Sequence, residues 1–314
     1  MTGIAQRIRA GDTRLGARLM RCLDDGQPEA FAVLAELYPH GGRARRVGIT
    51  GPPGVGKSTL TDRLVTAFRA EGQRVGVVAI DPSSPFTGGA ILGDRVRMQR
   101  HAGDEDVFIR SLATRGALGG LSASARDTVY VMEAMGFDVV LVETVGAGQD
   151  EVDVANLVET AVVVTAPGLG DSVQAIKAGI LEIADIFVVN KADYPDAKRA
   201  AQHLHLILDL EGGARRGWSV PVLETVAQTG DGLEELRTAI DDHGAHLAAS
   251  DEGGRRAHRR AQMALTERVE ALLRAKARAA ITAYGGLGAL VAGIEDRTLD
   301  PYTAAQTLME GIEG

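Results

Sequence analysis

The glycine-rich segment Gly51–Ser58 constrains the fold of this chain more than any other feature of its sequence. It reads GPPGVGKS, which has the spacing G-x-x-x-x-G-K-[ST] that is typical of phosphate-binding loops. The apolar run Val47–Thr50 before it predicts a buried strand, and the pattern of Thr59–Ala70 after it predicts a helix. This order of elements places backbone N–H groups and the helix dipole around a phosphate. We therefore expect a nucleotide-binding α/β domain.

Six residues of this region are predicted to bind the nucleotide. Lys57 is expected to reach the β- and γ-phosphates and to act in catalysis, whereas the Ser58 hydroxyl is expected to ligate Mg²⁺. Backbone groups around these two residues are expected to hold the other phosphate oxygens. The residues that contribute them are Gly54, Val55, Gly56 and Thr59.

The rest of the chain predicts an α/β P-loop NTPase fold with a mainly parallel, doubly wound sheet. Short runs rich in Val and Ile alternate with helical patterns, and fully apolar runs are typical of strands covered on both faces. The further predicted strands are Val75–Ile80, Val107–Ile109, Asp138–Val142, Ala161–Thr165, Ile186–Val189 and Pro221–Leu223. We expect a helical extension at 1–42, the P-loop domain at 43–248 and a C-terminal helical arm at 249–314.

A second motif indicates which base is bound. Asn190, Lys191 and Asp193 form the pattern N-K-x-D at the end of a predicted core strand. The Asp193 carboxylate can accept hydrogen bonds from N1–H and the exocyclic amine of guanine, and adenine lacks this pair of donors. The later loop with Val226 and Ala227 is expected to offer a backbone N–H to guanine O6. The predicted ligands are therefore GTP and GDP.

Acidic residues are predicted at the phosphate end of the site. Glu143 follows the strand Asp138–Val142, and Asp81 and Asp94 bracket a glycine-rich loop at the ligand edge of the sheet. Such a loop is typical of a switch that closes on Mg²⁺ and phosphate. The predicted Mg²⁺ ligands are Ser58, Asp81, Asp94 and Glu143. Gln149 is either a water-positioning residue or a solvated loop residue.

Charge and cysteine content narrow the class of protein. The net charge of −8 argues against a nucleic-acid partner. The single cysteine, Cys22, excludes an internal disulfide and a Cys-rich metal site, and it favours a reducing compartment. No apolar run approaches the ~18 residues that span a bilayer, so no membrane partner is predicted. We expect a cytoplasmic protein.

The combination of these segments resembles the MeaB/ArgK-type GTPases, the G-protein chaperones of adenosylcobalamin-dependent methylmalonyl-CoA mutase. The resemblance extends over essentially the whole chain and is looser in the C-terminal tail. The segments that carry it are GITGPPGVGKST at 48–59, DPSSPFTGGAILGDR at 81–95, LGG at 118–120, GFDVVLVETVGAGQ at 136–149, PGLGDSVQAIKAGILE at 167–182 and NKAD at 190–193.

The resemblance implies a GTP-binding and GTP-hydrolysing metallochaperone. Such a protein gates adenosylcobalamin loading and protects or reactivates a methylmalonyl-CoA mutase-type acyl-CoA mutase. It also implies three switches: the acids of the first are Asp81 and Asp94, and that of the second is Glu143. The third switch senses the mutase and contains Asp171, Gln174 and Lys177. The implied catalytic residues are Lys57, Asp94, Glu143 and Lys177.

The resemblance further implies a homodimer formed through the C-terminal helices. A polar segment at Ala248–Gly254 predicts a break before the arm, and Arg255–Thr282 predicts a helix with an apolar stripe at Leu265–Leu273. The chain departs from the family pattern at Val226 in the guanine loop and at residues 172–173 of the third switch.

Besides a pure binding module without turnover, two other functions stay open. A nickel-insertion GTPase would share the sheet and the guanine motif, but it needs soft or imidazole ligands. The histidine pairs His203/His205 and His243/His246 are interpreted here as surface residues of helices rather than as such ligands. A P-loop small-molecule kinase is the other alternative, and it is hard to reconcile with the N-K-x-D motif.

Overall fold

The computed structural model describes residues 2–82, 99–101, 103–114, 120–144, 150–168, 178–210, 214–215 and 217–313. Contacts within the chain divide it into two compact units, Met1–Arg260 and Ala261–Gly314. The boundaries expected at residues 42 and 248 stay predictions.

A parallel sheet of seven strands forms the centre of the first unit. In chain order its strands are β1 (Arg45–Thr50), β2 (Val75–Pro82), β3 (Val107–Thr114), β4 (Val139–Thr144), β5 (Thr160–Thr165), β6 (Ile186–Asn190) and β9 (Val222–Thr225). Their spatial order is β3-β2-β4-β1-β5-β6-β9, and each neighbouring pair is parallel. A short antiparallel pair, β7 (Ala214–Arg215) and β8 (Trp218–Ser219), lies outside this sheet.

Helices cover both faces of the sheet. Those of the nucleotide-binding core are α4 (Lys57–Ala70), α5 (Gly120–Ala134), α6 (Asp150–Leu157), α7 (Ala178–Ile183), α8 (Ala197–Leu210) and α9 (Leu233–Ala249). Successive side chains of a strand point to opposite faces. In β4, Val139 and Leu141 accordingly join the apolar cluster with α4 and α9, whereas Val140 and Val142 join the cluster with α5 and α6. The doubly wound P-loop fold expected from the sequence is confirmed.

Three N-terminal helices pack against one face of this core. They are α1 (Thr2–Arg9), α2 (Thr13–Asp24) and α3 (Pro28–Leu37). Asp12 caps α2, because its carboxylate accepts a hydrogen bond from the Leu15 N–H at 3.0 Å. On α2, Gly16 lies so close to Met135 that a Cβ would approach its sulfur to 2.5 Å. The N-terminal extension is therefore part of the first unit.

Two element boundaries differ from the sequence-based prediction. β3 continues past Ile109 to Thr114, because Arg110 forms an ion pair with Asp24 of α2 and so fits a partly covered edge strand. The break predicted at 248–254 is shorter than expected: only Ser250, which is extended, lies between α9 and α10 (Asp251–Ala283). The acidic residues in the first turn of α10 stabilise its start through the helix dipole.

The second unit consists of helices. It contains the end of α10, then α11 (Leu287–Glu295) and α12 (Pro301–Glu313). On α10 an apolar face is exposed to solvent in the single chain: Leu265 is 67%, Val269 46%, Leu272 51% and Leu273 52% exposed. Across the described parts of the chain no single helix has both the length and the apolar composition to cross a membrane; α10 and α11 pass that test only as a pair, bent by 69°.

Candidate nucleotide-binding site

Glycines of the loop between β1 and α4 permit contacts that other residues would block. Gly51 has φ +136, and a Cβ there would lie 2.0 Å from the Val164 carbonyl oxygen. Gly56 has φ +95, and its Cβ would lie 2.4 Å from the Asn190 Nδ2. Both conformations are left-handed, which L residues rarely adopt. The loop is therefore packed tightly between the ends of β5 and β6.

The Lys57 ammonium lies inside this loop. Its Nζ donates hydrogen bonds to Gly51 O at 2.7 Å and to Pro52 O at 2.9 Å, and the residue is only 5% exposed. These contacts hold a positive charge at the start of α4, where the helix dipole also favours an anion. The arrangement is that of a phosphate-binding loop.

Ser58 and Glu143 meet at the ligand edge of the sheet. Ser58 Oγ donates to Glu143 Oε1 at 2.6 Å, and the Glu143 residue is 3% exposed. One residue further along, the hydroxyls of Thr50 and Thr144 are 3.0 Å apart and tie the ends of β1 and β4 together. In the β2–β4 register Ile80 lies opposite Thr144, so the backbone of Asp81 is one position beyond it. Three of the four predicted Mg²⁺ ligands thus lie on neighbouring elements.

Asn190 joins the phosphate loop to the loop after β9. It is 2% exposed, and its Nδ2 donates to Val55 O at 2.8 Å. Its Oδ1 accepts hydrogen bonds from the Ala227 N–H at 3.0 Å and from the Thr225 hydroxyl at 3.2 Å. All three of these hydrogen bonds join the buried Asn190 amide to protein groups, so they stabilise the protein structure. Asn190 fixes the distance between the two ends of the nucleotide site.

The other residues of the N-K-x-D motif face outwards. Lys191 has φ +60, and its Nζ donates to Gly54 O at 2.8 Å, so its stem extends across the phosphate loop. A positive φ at a residue other than glycine is uncommon. The Asp193 residue is exposed beyond it, with its carboxylate accessible to a ligand.

Two backbone N–H groups predicted for guanine already have protein partners. The Val226 N–H donates to Asp231 O at 3.0 Å, and the Ala227 N–H donates to Asn190 Oδ1. Donation of one of these N–H groups to guanine O6 stays a prediction. It requires that the N–H group be shared between guanine O6 and its protein acceptor. Sequence reasoning missed Arg63, whose Nε donates to Ala227 O at 3.1 Å. No motif marks this arginine, because its role depends on a contact with a loop far along the chain.

Several predicted residues lie outside the described residues. They are Asp94, Gln149, Asp171, Gln174 and Lys177, and the side chain of Asp81 is likewise not described. Their assignments stay predictions.

The interpretation of both histidine pairs as surface residues is wrong for His243. This side chain is fully buried on α9, and its Nδ1 lies 2.8 Å from the Thr160 hydroxyl. Burial lowers the pKa of His243 to about 4. The Asp185 carboxylate, whose Oδ1 lies 3.4 Å from His243 Nε2, acts in the opposite direction and raises this pKa. His203 and His205 are exposed on α8 as expected. Among the described residues no group of three His, Cys, Asp or Glu side chains could hold a metal ion.

Comparison with known proteins identifies the family. The family model described as Methylmalonyl Co-A mutase-associated GTPase MeaB matches residues 17–282. A protein of Pyrococcus abyssi named as a GTPase is 46% identical over 313 residues, which are 99% of this chain and 96% of that protein. GTPase ArgK of Escherichia coli is 39% identical over 252 residues, which are 78% of this chain and 76% of that protein.

A solved structure supports the same assignment. The crystal structure described as a LAO/AO transport system kinase superposes with a TM-score of 0.66 at 28% identity, and the alignment covers 100% of this chain and 97% of that one. Together with the P-loop and the N-K-x-D geometry, these matches confirm the resemblance seen in the sequence. The chain is a P-loop GTPase and belongs to the family of methylmalonyl-CoA mutase-associated GTPases, MeaB.

Proposed function

We propose that this GTPase is the chaperone of an adenosylcobalamin-dependent acyl-CoA mutase, methylmalonyl-CoA mutase or a relative of it. It gates loading of the cofactor, and it protects or reactivates the mutase. The observation that carries the proposal is the extent of the family match, which covers residues 17–282. This range includes most of α2, all of α3 and most of α10, which lie outside the nucleotide site. Sequence similarity in these helices is expected if the family members share a protein partner as well as the GTPase reaction.

Mg²⁺ is the cofactor that we propose beside GTP and GDP. The hydroxyl of Ser58 and the carboxylate of Glu143 are hard oxygen donors that converge at 2.6 Å, and the backbone of Asp81 ends an adjoining strand. Mg²⁺ prefers such oxygens, together with those of a nucleotide. Ser58, Asp81, Asp94 and Glu143 would hold the ion, which supplies charge neutralisation at the phosphates.

In this proposal Lys57 neutralises the phosphates and Glu143 transmits the state of the nucleotide. Lys57 already occupies the centre of the loop, so it exchanges carbonyl partners for phosphate oxygens. Glu143 lies at the end of β4 and contacts the loop helix through Ser58, so a change at the phosphates reaches this strand end directly. Asp171, Gln174 and Lys177 form the third switch that senses the mutase.

We further propose a cytoplasmic homodimer. The exposed apolar face of α10, Leu265–Leu273, supports association of two chains, because single soluble chains rarely expose a continuous apolar patch. Neither nucleic acid nor a membrane is a proposed partner. Nickel insertion has less support, because the described residues contain no metal-binding cluster.

The proposal is tested by transfer of adenosylcobalamin to the mutase apoenzyme, followed by the absorbance of the bound cofactor and by mutase activity. We expect GTP to gate the transfer, and we expect a non-hydrolysable GTP analogue or the variant Lys57→Ala to uncouple it. Transfer that is independent of both nucleotide and chaperone, for each acyl-CoA mutase tested, would contradict the proposal.

A further inference from the structure

Arg63 of α4 contacts the loop that follows β9. Its Nε donates to Ala227 O at 3.1 Å, and its Nη2 donates to Gln228 O. The same helix begins with Lys57, so one rigid element carries both the phosphate-binding lysine and this arginine. Two hydrogen bonds to successive carbonyls of one loop indicate that the arginine determines how those peptide groups are oriented.

Residues 226–230 form a single tight turn. The Val226 carbonyl accepts hydrogen bonds from the amides three and four residues later, at 3.1 and 2.9 Å. In a helical turn of this kind the N–H groups point towards its beginning and the carbonyl groups towards its end. Asn190 accepts the Ala227 N–H on the first side, and Arg63 binds carbonyls on the second. The turn is thus held from both sides.

One amide of this turn is available to a ligand. The N–H groups of residues 226, 227, 229 and 230 all donate to protein acceptors. In the part of the chain that the structure describes, the Gln228 N–H has no such acceptor. A peptide group is planar, so the Ala227 carbonyl and the Gln228 N–H point in opposite directions. When Arg63 holds this carbonyl, the Gln228 N–H points to the side on which Asn190 lies.

We propose that Arg63 is a positioning residue for guanine recognition. By holding the carbonyls of Ala227 and Gln228, it aims the Gln228 N–H at guanine O6, an acceptor that adenine lacks. A guanidinium is suited to this task, because its N–H groups diverge in a fixed plane. The inference rests on the assignment of Asn190, Asp193 and the turn to the guanine site, and it is independent of the mutase partner.

The test compares three ligands on Arg63→Met, which removes the donors at similar side-chain length. Inosine diphosphate keeps O6 and lacks the exocyclic amine, whereas inorganic tripolyphosphate has no base. We expect GDP and inosine diphosphate to lose affinity by the same factor, about tenfold, because one hydrogen bond at O6 is misdirected. Binding of tripolyphosphate, measured by calorimetry, should not change. An equal loss with tripolyphosphate would overturn the inference, because it would indicate a general disturbance of α4.

Two control variants separate the possible failures. Arg69→Met lies on the same helix but pairs with Asp104 at 2.8 Å, and it should leave all three affinities unchanged. Asp193→Asn should weaken GDP more than inosine diphosphate, because the carboxylate faces the exocyclic amine. If Asp193→Asn behaves so while Arg63→Met changes nothing, the role of Arg63 is refuted and the guanine site stands. If neither variant weakens GDP, the guanine site itself is misassigned and the inference fails with it.

Discussion

Ser58 Oγ donates a hydrogen bond of 2.6 Å to Glu143 Oε1 and so joins the start of α4 to the end of β4. The two residues are separated by 85 positions in the chain. One belongs to the phosphate loop, and the other is a predicted Mg²⁺ ligand near the end of β4. Their contact makes the phosphate end of the site a single hydrogen-bonded unit.

Replacement of Glu143 is the first prediction. Glu143→Gln keeps the shape of the side chain and removes its charge, so GTP hydrolysis should slow by about two orders of magnitude, and more Mg²⁺ should be needed for half-maximal activity. GDP affinity in the absence of Mg²⁺ should stay within about twofold, because the base and α-phosphate contacts remain. Steady-state phosphate release over a Mg²⁺ titration measures the rate and the Mg²⁺ requirement, and calorimetry measures the GDP affinity. Glu36→Gln, an exposed position on α3, is the control; equal behaviour of the two variants would refute the role of Glu143.

Gly56 provides a prediction about the link between the phosphate loop and Asn190. Gly56→Ala and Gly54→Ala both place alanine at a positive φ, which costs about 1 kcal/mol in each case. Only at Gly56 would the new Cβ meet Asn190 Nδ2, and the resulting shift breaks the bond to Val55 O. We expect Gly56→Ala to lower the free energy of unfolding by roughly 2 kcal/mol more than Gly54→Ala. Urea unfolding without nucleotide measures the difference. Equal losses of unfolding free energy in the two variants would show that the Asn190 side chain can move away from the new Cβ without destabilising the protein.

His243 predicts a dependence of stability on pH. Its pKa is lowered to about 4 by burial, below the ordinary value of 6.5, so the unfolded chain binds a proton more readily than the folded one. The free energy of unfolding therefore falls as pH decreases below 6.5, and this group contributes no slope at higher pH. Among the neighbouring charges, Asp185 raises the pKa of His243 and Arg256 lowers it. His246 also lowers this pKa, by less than Arg256.

Urea unfolding at pH 7.5 and pH 5 measures this effect. The wild type should lose roughly 2 kcal/mol more than His243→Gln between these two pH values. His203→Gln, at an exposed site on α8, should behave like the wild type. The same pH dependence in the His243→Gln variant and in the wild type would show that another group is responsible.

The apolar face of α10 predicts how the chain associates. Val269 and Leu273 are one helical turn apart, and each is about half exposed in the single chain. Val269→Glu with Leu273→Glu should convert a dimer into a monomer, because two carboxylates cannot be buried unpaired in an apolar contact. Light scattering after size-exclusion chromatography gives the mass. A monomeric wild type would refute the proposed homodimer, whereas an unchanged dimer in the variant would place the interface elsewhere.

The sequence predicts the core of this fold well, because strands that are buried on both faces of the sheet consist of apolar residues throughout. In β4 the run from Val139 to Val142 is completely buried, and the phosphate loop and N-K-x-D motif lie at strand ends where their chemistry requires them. The features that it misses depend on contacts between distant segments. Arg110 continues β3 because Asp24 neutralises it. The burial of His243 depends on Thr160, and the role of Arg63 depends on a turn more than a hundred residues later.

The rate of GTP hydrolysis with and without a purified adenosylcobalamin-dependent acyl-CoA mutase tests the central claim most directly. Chain and mutase should form a complex, and the turnover number should rise severalfold and saturate with mutase concentration, since the proposed third switch senses the partner. Lys177→Ala should bind the mutase and lose the acceleration. A turnover number that is unchanged at saturating concentrations of every acyl-CoA mutase tested would contradict the account.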